Sequence, residues 1–312
     1  MTRTAKSLLG FGSLAMLVLA VAAWPRPAEW PHIEKLWRVQ VIAHRGGLIE
    51  RPDSTVAAFD HAVAVGSHWL ELDIHLSADG VPVVIHDDTV DRTTNGSGPV
   101  SKLTLAELRA LDAGYRWPFD MTPGERQFGP YSDAYVWRGR GQQILTLEEV
   151  LNRYPDHRLL IEIKPPGDEV IEAVMDLIAE HERQGSVLLA SFHQQTLASL
   201  RRAAPELATV ASASEARSFV ILSSLGLARF WPRHADVLAI PPTLGERRLL
   251  TPRLVRAARS IGVPVYVWTI NDEATWDELI DLGVDGILTD RPEALKRHLQ
   301  QRRQSIAATA GR

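Results

Sequence analysis

Two periods of apolar and polar residues take turns along this chain. From about residue 39 a short β-branched run, a polar loop and a helix-periodic stretch recur. Residues 39–43 (Val-Gln-Val-Ile-Ala) read as a strand, and residues 55–65, apolar at Val56, Phe59, Ala62 and Val63, as a helix. Further strand-like runs lie at 69–74, 158–164, 187–190, 207–211, 237–240, 263–268 and 286–288. Helical stretches fill the gaps at 146–154, 169–183, 194–203, 215–225, 252–261 and 273–282. Eight parallel candidates in roughly 250 residues predict an α/β fold, a (β/α)8 TIM barrel. A doubly wound open sheet is the competitor, but Gly46-Gly47 alone is a weak substitute for the Gly-rich turn such sheets carry after strand one.

One unit breaks the rhythm. Ser77-Ala78-Asp79-Gly80 is a tight turn followed at once by Val81-Pro82-Val83-Val84-Ile85-His86. So short a link cannot make a parallel crossover, so this segment is expected to fold back antiparallel and return His86 toward one mouth of the barrel. An insertion then spans about 87–145, with a capping box at Thr104 and Glu107 and an aromatic, aperiodic stretch over 114–141 that suits a lid. The barrel is expected over 39–300, with 301–312 a flexible tail.

The N-terminus reads differently. A basic start (Arg3, Lys6) precedes an uncharged apolar run over 8–23, and Pro25, Pro27 and Pro31 make a stiff linker over 25–38. Residues 1–24 are therefore expected to be a signal anchor or transmembrane helix, with membrane attachment and the catalytic domain outside the cytoplasm. Cleavage after Ala20-Val21-Ala22, giving a secreted or periplasmic protein, is the alternative. The absence of cysteine leaves oxygen and His nitrogen as metal ligands, and a net charge of -4 without a basic stripe argues against nucleic acid as partner.

Chemistry concentrates at the predicted C-terminal strand ends, where barrels carry their sites. Glu71 and Asp73 are two apart on one strand and so share a face. With Glu162 they make three carboxylates suited to a hard divalent cation, Ca2+ or Mg2+, with Mn2+ possible. Arg45 and Lys164 add the positive charge a phosphate group takes, and His44 and His86 supply a base and an acid that titrate near neutral pH. Glu162 with Lys164 as a bare in-barrel ion pair, and Trp268 as core packing instead of a substrate platform, remain open. His61, His68, His157, His181 and His234 are taken as ordinary structural histidines.

Together, His44-Arg45-Gly46, Glu71-Leu72-Asp73, Val83 through Asp87, Asp91 through Gly96, Leu145 through Glu149, Ile161-Glu162-Ile163-Lys164, Val267 through Asn271 and Gly283 through Asp290 resemble the glycerophosphodiester phosphodiesterases. The resemblance implies a barrel that hydrolyses glycerophosphodiesters to sn-glycerol 3-phosphate and an alcohol. It implies His44 and His86 as the catalytic pair, Glu71, Asp73 and Glu162 as metal ligands, Arg45 and Lys164 on the phosphate and Trp268 facing the glycerol. One departure stands out: the family usually reads Pro-Glu-Asn-Thr where this chain has Pro52-Asp53-Ser54-Thr55. If the missing Asn held metal or substrate, Ser54 would be its weaker substitute. A lysophospholipase D or sphingomyelinase-like phospholipase acting on lysophospholipid is the alternative enzyme. A membrane-tethered binding module without turnover is the alternative of another class.

Overall fold

The computed structural model describes residues 39–118 and 135–310. Among them, eight parallel strands form one curled sheet: β1 (Gln40–Ala43), β2 (Trp69–Leu76), β5 (Arg158–Ile163), β6 (Val187–Ala190), β7 (Ala208–Thr209), β8 (Leu238–Ile240), β11 (Val265–Val267) and β12 (Gly286–Thr289). Their order is β7-β6-β5-β2-β1-β12-β11-β8, and a single parallel bridge, Val210 to Val237, joins the two ends. The hairpin expected after β2 is present. β3 (Pro82–Val84) pairs antiparallel with the far end of β2, and β4 (Leu145–Thr146) pairs antiparallel with β3. Beyond β8, the short strands β9 (Thr243–Leu244) and β10 (Arg247–Arg248) form a separate hairpin.

Alternation along each strand sorts its residues. Leu70, Leu72, Leu159 and Ile161 point outward into a cluster shared with α1 (Val56–Ala64), α3 (Leu147–Arg153), α4 (Asp168–Glu180) and α5 (Gln194–Ala203). Ile42, Trp69, Leu160, Leu188, Tyr266 and Leu288 point inward and fill the barrel. Helices α6 (Ala213–Ser224), α7 (Pro252–Ser260) and α8 (Glu273–Leu282) complete the outer ring on the other half. Burying an interior layer of this kind contributes on the order of 2 kcal/mol per large side chain. Moving two residues from Ile42, Leu160, Tyr266 or Leu288 toward the C-terminal end stays on the inner face and arrives at His44, Glu162, Trp268 or Asp290.

The insertion has its own small core of Val83, Ile85, Val90, Val100, Leu108 and Ile144, with α2 (Leu105–Arg109) started by the Thr104–Glu107 capping box. It also braces the loop after β1: Trp117 packs on Leu48 and Ile49 and donates its indole N–H to the Leu48 carbonyl at 2.9 Å. Residues 119–134 of the expected lid lie outside the described residues.

Two expectations need correction. Among the described residues no helix is long and apolar enough to cross a membrane, and the apolar run over 8–23 lies outside them. The transmembrane helix, the membrane as partner and the membrane-anchored location therefore drop out of the description of this chain. The stretch beyond residue 300 is also no slack tail, because α9 runs over Pro292–Ala310. Its Gln, Arg and Ala residues favour helix, and Arg302 reaches back to Asp277 and Asp281 of α8.

Candidate active site

The loop that leaves β1 is built for close approach. Arg45, Gly46 and Gly47 all have positive φ, at 52°, 82° and 105°. A Cβ on Gly46 would stand 2.7 Å from Ala58 Cβ, so only glycine lets this loop lie on α1. Holding the non-glycine Arg45 in the left-handed region costs about 1 kcal/mol or more. In return its backbone N–H faces the mouth and donates to Glu71 Oε2 at 2.8 Å.

The parallel register of β2 and β5 sets Asp73 beside Glu162. Glu71, Asp73 and Glu162 each bring a carboxylate oxygen within 4.8 Å of the others. Glu71 is 2% exposed and Asp73 1%, which is costly for acids unless cations answer them. Lys164 Nζ lies 2.7 Å from Glu162 Oε1 and 3.0 Å from Asp73 Oδ1, and Arg45 Nε is 3.6 Å from Asp73 Oδ2. The ion pair left open in the sequence thus exists, and Asp73 shares it. Burial and the neighbouring charges of Asp73 and Glu162 still push the Glu71 carboxyl up to about 8. The Lys164 ammonium, although buried, is held above its usual value by Asp73 and Glu162. One oxygen, Asp73 Oδ2, is buried with no hydrogen-bond partner. Three crowded carboxylates and an unsatisfied buried oxygen fit a divalent cation, whose added charge would relieve both.

Each proposed catalytic histidine has a carboxylate of its own. His44 Nδ1 is 2.6 Å from Asp290 Oδ1, and Asn271 Nδ2 donates to Asp290 Oδ2 at 2.7 Å. Burial, the largest single influence, and the Arg45 charge pull the His44 imidazole down, but the Asp290 charge and hydrogen bond together with the Glu71 charge outweigh them and the net shift is upward. His86, returned to the mouth by β3, has Nδ1 2.6 Å from Asp87 Oδ1, and Arg92 Nε donates to Asp87 Oδ2 at 2.6 Å. Against the burial that opposes it, those two partners hold the Asp87 carboxyl far below the usual range. The charges of both His86 and His44 help to lower the Asp73 carboxyl, after those of Lys164 and Arg45 and against the pull of burial. Trp268 is half-buried on the barrel core, and its ring meets Phe192 edge-on at a centroid distance of 6.0 Å.

The model of the glycerophosphoryl diester phosphodiesterase family matches residues 44–294. The chain belongs to that family. A glycerophosphodiester phosphodiesterase of Caldanaerobacter subterraneus is 34% identical over 264 residues, 82% of this chain and 95% of that one. A lysophospholipase D of Mus musculus is 28% identical over 276 residues, 82% of this chain and 84% of its own length. Among solved structures, an Oleispira antarctica phosphodiesterase in complex with the product sn-glycerol-3-phosphate is 30% identical. It has a TM-score of 0.64 and covers 84% of this chain and 96% of its own. As a member of the glycerophosphoryl diester phosphodiesterase family, the chain is a phosphoric diester hydrolase, which sets the non-catalytic binding module aside.

Sequence reading of this phosphodiesterase missed the residues that hold the site residues. Asp290 carried a signal, because it lies one residue past β12 at the same barrel mouth. Asn271, Asp87, Arg92 and Asp53 sit in loops where spacing gives no partner. His61, set aside as structural, bonds to Glu50, whose carboxylate also accepts from the first amides of α9.

Proposed function

We propose that this phosphodiesterase hydrolyses glycerophosphodiesters to sn-glycerol 3-phosphate and an alcohol, with His44 as general base and His86 as general acid. The observation that carries this reading is the pairing of two carboxylate-braced imidazoles with one three-carboxylate, two-cation cluster. Glu71, Asp73 and Glu162 would hold the divalent cation. When bound, that ion supplies positive charge to the phosphoryl oxygens and offsets the negative charge that builds in the transition state. Arg45 and Lys164 neutralise the non-bridging oxygens and fix the phosphorus in place. His44, oriented through Nδ1 by Asp290, takes a proton from the attacking water as its oxygen bonds to phosphorus. As the phosphorus–oxygen bond to the alcohol breaks, His86, oriented by Asp87, delivers a proton to the departing oxygen. Trp268 offers an apolar wall for the glycerol carbons.

A second reading, a lysophospholipid as substrate, draws on Phe192, which is 65% exposed beside Trp268 and offers a further apolar surface at the mouth. The mouse relative named a lysophospholipase D points the same way. His44→Ala and His86→Ala are each expected to lower glycerol 3-phosphate release from glycerophosphocholine by about 10²–10⁴-fold with the melting temperature unchanged within a few degrees. Retained turnover in either folded variant contradicts the assignment.

A further inference from the structure

The segment Pro52-Asp53-Ser54-Thr55, in which this chain departs from its family, enters no step above. Its two central residues part company in the fold. Ser54 lines a small cavity with Val84, Ile85 and Thr93, and its hydroxyl is buried without a hydrogen-bond partner. Asp53 is different. It is 4% exposed and lies between two guanidinium groups. Arg92 Nη2 donates to Asp53 Oδ2 at 3.0 Å, and Arg45 Nη1 stands 3.8 Å from that same oxygen. The other side of the Arg92 fork grips Asp87, with Nε to Oδ2 at 2.6 Å, and Asp87 Oδ1 in turn meets His86 Nδ1 at 2.6 Å. Polar contacts thus run without a break from Arg45 through Asp53, Arg92 and Asp87 to His86, linking the loop between β1 and α1 to the loop after β3.

We propose that Asp53 is a positioning residue for His86: it anchors Arg92, and through Arg92 it fixes Asp87 and the imidazole that protonates the leaving alcohol. This rests on the acid role given to His86 above. A planar guanidinium pinned at both ends leaves Asp87 one orientation, whereas an Arg92 released from Asp53 swings on a flexible stem and carries Asp87 with it. An Asn at position 53 keeps the shape and one acceptor but loses the charge that holds two guanidiniums at one oxygen. Burial makes that loss felt, since water has little access to Asp53 to replace it.

Leaving-group dependence separates positioning of an acid from general damage. The experiment uses the full chain with its divalent cation on two substrates. Glycerophosphocholine releases an alkoxide that needs a proton, and the p-nitrophenyl diester of glycerol 3-phosphate releases a phenolate that needs none. Asp53→Asn is expected to lower kcat on glycerophosphocholine by about tenfold or more, and on the nitrophenyl ester by less than about threefold. Asp53→Glu, the longer acid usual in the family, is expected to restore kcat on glycerophosphocholine to within about threefold of the parent chain. Should Asp53→Asn fail to fold, Arg92→Gln on the part-exposed rim carries the same expectation and the same refutation. His86→Ala is the control and must show the larger loss on glycerophosphocholine. Equal losses on both substrates in the Asp53 and Arg92 variants, with that control behaving as expected, overturn the proposal. A control without leaving-group dependence removes the acid role of His86 and takes the proposal with it.

Discussion

Replacing Asp290 by Asn tests how the base is held. The change is nearly isosteric, yet the hydrogen bonds around position 290 decide which way the new amide turns. Asn271 Nδ2 donates to Asp290 Oδ2, while Asn271 Oδ1 is already engaged by Thr289 Oγ1 at 3.1 Å and by the Asp290 N–H at 2.9 Å. Asn271 therefore cannot flip without losing both, and the oxygen of the introduced amide must face Asn271. The NH2 of that amide then faces His44 Nδ1, so the imidazole must accept there and carry its proton on Nε2, the nitrogen needed as base. A wrong tautomer of this kind, added to the loss of a charge-assisted bond worth about 1.5–3 kcal/mol, is expected to lower kcat/KM by roughly 10²–10⁴-fold. The pH profile carries a second expectation. Asp290 raises the His44 imidazole against the pull of burial, so its removal moves the acid limb of kcat/KM to lower pH. Stability follows the same linkage. Because His44 is raised above its ordinary 6.5, the pair stabilises fully below that value and loses the contribution as pH rises through the folded one. Because Asp290 is lowered below 3.8, its share is present above 3.8 and lost as pH falls through the folded value. Asp290→Asn is thus expected to cost more melting temperature at about pH 5.5 than at about pH 9. A plateau within about threefold of the parent chain, or an acid limb that stays in place, refutes this account of the pair.

Two further outcomes follow from the site and its surroundings. Ser54 sits at φ 59°, where Asn is the better-tolerated residue, beside a cavity and with an unpartnered hydroxyl. Ser54→Asn is therefore expected to stabilise by about 0.5–1 kcal/mol, a rise of roughly 1–4 °C in a thermal melt, and a lower Tm contradicts this explanation of the family's usual residue. Glu71→Gln removes one of the three clustered carboxylates and is expected to weaken metal binding by about tenfold or more, measured by calorimetry, with activity falling in parallel. Since burial and Asp73 raise Glu71 well above its ordinary 4.5, the metal-free parent loses stability as pH climbs from there toward about 8, and the Gln variant is expected to escape that loss.

Much of this arrangement was legible in the chain because the relevant rules are local. Eight apolar runs at the right spacing predicted the strands, the Asp79-Gly80 turn predicted the β2–β3 hairpin, and the two-residue period placed Glu71 with Asp73 on one face. The supporting residues were not legible, because they depend on pairings far apart in sequence. His44 and Asp290 are separated by 246 positions, and Asp53 and Arg92 by 39. No periodicity links such residues; only the closing of the sheet does. The same limit applies at the end of the chain: of residues 301–312, expected as a flexible tail, 301–310 are helical, and Arg302 forms ion pairs to Asp277 and Asp281 of α8.

The central claim is that one carboxylate cluster, loaded with a divalent cation, works with two histidines on a phosphodiester. Its most direct test strips the protein with EDTA and measures glycerol 3-phosphate release from glycerophosphocholine as calcium, magnesium or manganese is added back. Activity absent after stripping and restored by at least one of these ions, in the parent chain but not in Glu71→Gln at the same metal concentration, is the expected result. Full turnover in the stripped, folded protein would contradict the claim.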